Sequence, residues 1–402
     1  MRMVSLRVRT VTPMRWIVVV LLVLAGLAAP SPAAAALPVV RIDSARAIPD
    51  EPKVPARMRM PGYRGRIGIE QRGQSSRRLF PKKSFAIELR DARGGDRKVP
   101  LLGMPDDGDW VLYAPYNDKT LMRNVVAYET ARWMGRYAAR TRFVELHLNG
   151  RYHGVYVLAE KLELGDDRVQ GDALLEFTFP FQAQFKERSF LTPIKRRPIV
   201  WEDPERGDLS GGRATAIARR VRAAERALYR SPPTRWRRRF DVASAVDFAL
   251  VNELFKNEDG YHGSTYMSLH EDGRLRMGPV WDFDIAMGNS DYGPSSRLRG
   301  WMLRHRDWAE RMYRDRAFTK QMARRWRALR RAGLRRQVLA TVDRSRAQLR
   351  GEVVRNFRRW PVLNQRIWPN PVARGSYQAE LRFLRSWLSR RIRWIDRNVG
   401  SL

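Results

Sequence analysis

Residues 240–284 read FDVASAVDFALVNELFKNEDGYHGSTYMSLHEDGRLRMGPVWDFD. At the start, Val242, Val246, Leu250 and Leu254 recur at helical spacing behind Asp241, a residue type that caps helix N-termini. A helix is therefore expected over 240–257. Past Asn257 the period is lost. EDGYHG reads as a loop, followed by two short strands joined through Glu271, Asp272 and Gly273. The run ends in VWDFDIAMGN (280–289), where Asp282 and Asp284 flank one aromatic residue in an apolar stretch. A solvated strand end explains two alternating acids. A divalent cation explains them as well, because Mg²⁺ is held through one or two carboxylates plus substrate phosphates.

Working outward, RGRIGIEQRG (64–73), KKSFAIELRD (82–91) and WVLYAP (110–115) alternate as strands do. Residues 37–58 read as an irregular, proline-containing lead-in. DKTLMRNVVAYETARWMG (118–135) places Leu121, Met122, Val125 and Tyr128 at helical spacing between a capping Asp118 and Gly135. FVELHLNGRYHGVYVLAEKLE (143–163) predicts a hairpin turning at Asn149–Gly150. Residues 60–163 thus form a small antiparallel sheet with one inserted helix.

Further on, a strand is expected at 173–177, a flexible segment at GDLSGGRAT (207–215) and a basic amphipathic helix at 213–230. From Gly300 the pattern is helical, with Trp301, Trp308, Trp326, Trp360, Trp368, Trp387 and Trp394 expected in the core and arginines on the remaining faces. A small sheet with one helix, then a mainly helical half entered by a helix, a loop and a hairpin, is the plan of a bilobal protein kinase. The expected fold class is α+β, with an N-lobe over 37–163 and a C-lobe over 164–402.

The chain has 402 residues, 44% of them hydrophobic, which is enough for real cores. It has no cysteine, so disulfides, thiolate metal sites and cysteine nucleophiles are excluded. A net charge of +35 favours polyanionic partners such as nucleic acid or anionic wall polymers. Residues 1–36 combine a basic flank (Arg2, Arg7, Arg9, Arg15), an apolar run from Trp16 to Leu27 and Ala34–Ala36. They predict an export signal removed near Ala36, with an uncleaved membrane anchor as the alternative.

Several motifs stand in order: RGQSS (72–76) with FPKKSFAIEL (80–89), LLGMPDDGDWVLYAPYNDKTLMRN (101–124), LNGRYHGVYVLAEKLE (148–163), VNELFKNEDGYHGSTYM (251–267) and MGPVWDFDIAMGN (277–289). Together they make the chain, from about residue 60 to 398, resemble the spore-coat protein H (CotH) kinase family. That resemblance implies an atypical protein-kinase-like fold and phosphate transfer from ATP, with Mg²⁺ or Mn²⁺, to a secreted or coat protein.

Kinase chemistry needs a carboxylate at the acceptor hydroxyl, metal ions on the phosphates and a cation beside them. In that frame Asp259 is the base. Ser264 stands five residues on, where ordinary kinases carry a metal-binding Asn. Asp282 and Asp284 hold the metal, with Asn289 as a substitute ligand, and the resemblance places Trp281 on the adenine ring. Lys83 shares a strand face with Phe85, Ile87 and Leu89, where an unpaired ammonium is costly, so it is the first choice for the phosphates. Lys82 replaces it if the register slips by one. The turn at Arg72 to Ser76 offers backbone N–H groups to phosphates. By analogy with kinases Glu129 pairs the lysine, and Tyr156 and Lys161 meet the adenosine. Two other readings stay open: a cationic protein binding wall polymer or nucleic acid through its arginine-rich surface, and a phosphotransferase acting on a sugar or small molecule.

Overall fold

Residues 37–58, irregular to the eye, close the first sheet. In the computed structural model, which describes residues 36–180, 189–230, 232 and 234–402, they supply strands β1 (Val39–Asp43) and β2 (Val54–Met60). Val40, Ile42, Met58 and Met60 point inward while Arg41, Arg57 and Arg59 face solvent. β3 (Tyr63–Arg72), β4 (Ser84–Arg90), β5 (Asp109–Tyr113), β6 (Thr141–Leu148) and β7 (Arg151–Glu160) complete a closed barrel in the order β1-β2-β3-β4-β5-β7-β6. Its pairs are antiparallel except β1 with β6, which run parallel from Val39 opposite Glu145. The inward residues, among them Ile67, Ile69, Phe85, Ile87, Trp110, Leu146 and Leu158, form a core of their own. Asn149 and Gly150 both have positive φ (48° and 74°), as the expected tight hairpin turn requires.

The expected small open sheet with one helix, and with it the bilobal protein-kinase-like fold, is therefore corrected. The chain builds a closed seven-stranded barrel, a second sheet and nine helices among the described residues. The physical reason lies in β1 and β2. They are short, and their outward arginines and flanking prolines conceal the alternation.

Two helices leave the barrel: α1 (Ser75–Leu79) and α2 (Arg123–Trp133). The second sheet joins β8 (Ala173–Phe177), β9 (Ser189–Leu191), β10 (Pro198–Asp203), β11 (Thr265–Leu269) and β12 (Leu275–Met277) in the order β12-β11-β8-β10-β9. Around it lie α3 (Gly211–Tyr229), α4 (Val242–Phe255), α5 (Asp307–Tyr313), α6 (Arg316–Arg331), α7 (Leu334–Leu349), α8 (Val353–Arg359) and α9 (Tyr377–Asn398). The segment expected to be flexible contains the start of α3 instead, where the Ser210 side chain accepts from the Arg213 amide.

α4 is buried along most of its length. Asp241 caps it as expected, accepting the Ser244 amide at 2.8 Å. It ends at Lys256 in the left-handed region, and the chain then turns into the 257–264 loop. Trp308, Trp326, Trp360 and Trp387 are buried, and Trp301 and Trp394 pack against the core. Trp368 departs from expectation at 53% exposed. Residues 1–35 of the expected export segment lie outside the described residues. No helix among the described residues is long and apolar enough to cross a membrane.

Candidate active site

The WDFD segment hangs on one face of α2. The Asn124 side-chain oxygen accepts the Phe283 amide at 2.6 Å, and the Tyr128 hydroxyl accepts the Asp282 amide at 3.2 Å. Arg123 donates to the Ala286 carbonyl at 3.2 Å and is ion-paired with Asp118. Asp118 also accepts the Arg123 amide at 2.8 Å, but the helix starts later than expected, at Arg123 with Met122 in the N-cap position, so Asp118 braces that start from the preceding turn and is not its cap. With its backbone held this way, Asp282 adopts a left-handed conformation, φ 60°, that non-glycine residues seldom take. Such a conformation persists only where the surroundings enforce it.

Asp282 and Asp284 are hydrogen-bonded to each other, and Asp284 is also bonded to Asn117. Asp259 joins them from the loop after α4. Its carbonyl accepts the His262 and Gly263 amides, both at 2.8 Å. Asn257 ties this loop to the segment, donating to the Trp281 carbonyl at 3.2 Å. Each acid keeps a window to solvent, yet burial dominates its titration. Burial, then the charges of Asp284 and Glu258, push the Asp259 carboxyl up to about 7, against the opposing pull of Arg306. Burial and Asp259 bring Asp282 to about 7, partly countered by its bond to Asp284 and by Arg72. Burial, then the charge of Asp282, raise Asp284 well above the usual carboxylate range. Three carboxylates that raise one another in this way form a site that favours a cation.

The remaining expected residues divide sharply. Arg72, at the end of β3, reaches the site, with its guanidinium 5.5 Å from the centre of the Trp281 ring. Trp281 stacks on Tyr128 with ring centres 5.5 Å apart and planes at 16°. Lys83 is turned elsewhere. It caps the end of α1 by donating to the carbonyls of Arg77 (2.5 Å) and Phe80 (2.6 Å). Of the two neighbours it is Lys82 that is buried, donating to the Val155 carbonyl at 2.6 Å and to Asn356 at 3.2 Å. Glu129 pairs with Arg344 at 2.8 Å and Thr341 at 3.0 Å on α7, and among the described residues it has no lysine partner. Tyr156 belongs to the barrel core, its hydroxyl donating to the Lys83 carbonyl. Lys161 pairs with Glu163 at 2.8 Å. Asn289 is buried, donating to the Asp284 and Asn117 carbonyls while its oxygen accepts from Asn370. Ser264 lies in the loop before β11 with φ 42°, and Ser76 lies in α1.

Lys82 has a consequence for stability. Burial lowers its pKa from 10.5 to about 7, so between those values the unfolded chain binds more protons than the folded one. The contribution of Lys82 to stability therefore rises with pH across that window and is least favourable below pH 7. Lys82→Met is expected to flatten this slope and to stabilise the protein most in mild acid. Urea unfolding at pH 6 and pH 9.5 checks it: equal slopes in both proteins refute the assignment.

Several residues of the site escaped sequence reasoning. Asn117, Asn124 and Tyr113 carried no signal beyond their place in one strand-to-helix stretch, and Tyr128 read only as part of an apolar stripe. The Tyr113 hydroxyl is buried and finds no hydrogen-bond partner among the described residues. Burial and the charges of Asp284, Asp118 and Asp282 raise its pKa, so it faces the acids. An orphaned hydroxyl at this point fits a missing polar ligand. Among the described residues no group of three or more His, Cys, Asp or Glu side chains is arranged to hold a metal by itself. Two carboxylates without a closed cage suit a hard cation that takes its other ligands from phosphates and water. A cavity of about 330 Å³ lies elsewhere, between α2, α4 and β12. Arg136, Asp247, His270 and Val280 are among its lining residues, and none of the three acids is.

Compared with models of known protein families, residues 69–395 match the CotH kinase proteins. The chain belongs to the CotH kinase family. Nothing among curated proteins matches it. The CotH match runs from β3 to α9 and takes in every site residue named above, while the barrel-closing strands β1 and β2 precede it. Membership points to a kinase-like function using ATP and a metal.

Proposed function

We propose that this chain transfers the γ-phosphate of ATP to a hydroxyl of an exported or surface protein. The observation that carries the reading is the convergence of Asp259, Asp282 and Asp284 beside Arg72 and Trp281. Asp282 and Asp284 would hold Mg²⁺ or Mn²⁺, and such an ion supplies charge neutralisation on the phosphates. Arg72 is the cation best placed to meet them, because Lys82 and Lys83 both spend their ammonium groups on backbone carbonyls. Asp259 orients the acceptor hydroxyl and accepts its proton. A carboxyl held near 7 suits that task at neutral pH. The basic flank, apolar run and small residues of 1–36 support action outside the cytoplasmic membrane.

Purified protein with labelled ATP, Mg²⁺ or Mn²⁺ and candidate exported proteins tests the activity directly. Asp282→Ala is expected to abolish metal-dependent binding of an ATP analogue while the protein stays folded. Calorimetry with the Mg²⁺ complex decides: unchanged affinity in the variant, with wild-type binding seen in parallel, removes Asp282 from the site.

A further inference from the structure

Between Asp315 and Asp343 the chain carries nine basic residues and no acidic one. α6 (Arg316–Arg331) opens this stretch, with Phe318, Met322, Trp326 and Leu329 buried along one side. At about 100° per residue, Arg316, Lys320, Arg324, Arg327 and Arg331 fall within an arc of roughly 80° on the opposite side. All five are exposed. They form a single row about 22 Å long.

Elsewhere on this helix the cations are balanced. Arg325 pairs with Asp247 and Arg330 with Asp396, both at 2.8 Å. Asp396 also accepts the Trp326 ring N–H at 2.9 Å. Asp315, ahead of the helix, is bonded to Arg237 and Trp236. The carboxylates that reach α6 are thus committed away from the row. Among the described residues none of the five row cations makes an ion pair or a side-chain hydrogen bond. Like charges three and four residues apart on a helix repel, and an external polyanion would relieve that repulsion.

Shape narrows the choice of polyanion. Lys320, Arg324 and Arg327 border a recess of about 190 Å³ that Val399 and Gly400 also line. Three cations around one hollow meet a phosphate from several sides. A flexible chain enters such a hollow, whereas a planar lipid surface does not. The aromatic residues of α6, Phe318 and Trp326, are turned into the core. The helix therefore serves neither base stacking, on which single-stranded nucleic acid binding draws, nor insertion between lipids. A base-free chain of phosphodiesters matches what the row does offer, which is successive charges along a line.

We propose that α6 and its recess bind a flexible polymer of phosphodiester-linked alditol units, of the poly(glycerol phosphate) type, and so hold the protein at an anionic envelope surface. The choice of a wall polymer follows from the export signal read in residues 1–36. The inference goes beyond phosphate transfer and stands whether or not the Asp259 site is active.

Labelled poly(glycerol phosphate) titrated with the protein by fluorescence anisotropy, from ~0.05 to ~0.3 M salt, tests this. Five neutralised phosphates give a log–log salt slope of about −3.5, at ~0.7 per contact. The triple substitution Lys320→Gln, Arg324→Gln, Arg327→Gln is expected to bring the slope to about −1.4 and to weaken binding about ten- to fifty-fold at ~0.15 M salt. A control triple, Arg57→Gln, Arg64→Gln, Arg151→Gln, removes the same charge from exposed positions on the barrel. It should bind within about two-fold of the wild type, since distant charges are screened. Both triples alter exposed side chains, so thermal midpoints should stay close to that of the wild type. Equal losses in the two triples would reduce the effect to net charge and overturn the proposal. So would a wild type that does not bind the polymer. Oligo(dT) or phosphatidylglycerol vesicles bound more than about ten-fold tighter per phosphate than the polymer, in a manner lost in the α6 triple, would give the row to nucleic acid or to a membrane and overturn it too.

Discussion

Asp259→Asn is expected to lower phosphate transfer by about 10²- to 10⁴-fold, the range for losing a positioned general base, while ATP affinity stays level or rises slightly. The sign of the second effect follows from the site. Asp259 is one of the charges that raise the Asp282 carboxyl, so removing it leaves Asp282 more readily ionised and a better partner for a cation. The amide keeps the size of the side chain, and the loop's bonds to the Asp259 carbonyl are backbone bonds that the substitution leaves intact. A residue acting in the transition state loses kcat and kcat/KM together, which is the pattern to look for. The same variant also addresses the polyanion-binding reading. Loss of a negative charge should leave binding to DNA or an anionic wall polymer unchanged or stronger across a salt series. Wild-type transfer that survives intact in the variant removes Asp259 from the mechanism. Absence of transfer in both proteins, with steeply salt-dependent polymer binding, favours the binder.

Much of the local structure was legible in advance because its signals are short-range. The Asn149–Gly150 turn, the Asp241 cap with its helix, and the alternation of 82–91 depend on neighbours within a few positions. Barrel closure depends on Val39 finding Glu145 across a hundred residues, and no local pattern carries that pairing. The lysines show the same limit on a smaller scale. Face parity was right for Phe85, Ile87 and Leu89, but β4 begins at Ser84, so parity no longer governs Lys83. That residue turns back to cap α1, and Lys82 enters the interior instead. Asp282 and Asp284 stood out because acids in an apolar run are conspicuous in one dimension, whereas Asp259, in the polar run NEDGYHG, was picked out only within the kinase frame. Asn124, Tyr128 and Tyr113 were not, since their roles consist of what the fold sets opposite them. Glu129 illustrates the hazard of analogy: a mid-helix acid was matched to a lysine, whereas the partners that packing brings to it are Arg344 and Thr341.

Arg391→Leu is expected to cost about 3–5 kcal/mol of folding stability, the range for stripping one partner from a buried ion pair. Arg391 on α9 and Glu253 on α4 are each fully buried, 3.0 Å apart. The guanidinium also donates to the Glu253 carbonyl and to the carbonyls of Leu298 (2.8 Å) and Gly300 (2.9 Å). Glu253 in turn accepts the amides of Met302 (3.0 Å) and Leu303 (2.7 Å). Burial lowers the arginine to about 10, which still leaves it charged at neutral pH. Leucine would therefore strand a carboxylate and several carbonyls in the interior. Replacing both members, Arg391→Leu with Glu253→Leu, should recover part of the loss, since the unpaired charge is the larger cost. The damage should also reach the site, because Glu253 lies in the last turn of α4, directly ahead of the loop that carries Asp259. Denaturant unfolding of the wild type, the single and the double variant measures this. A single-variant loss below about 1 kcal/mol, or a double variant less stable than the single, would show that the pair does not hold α9 to α4.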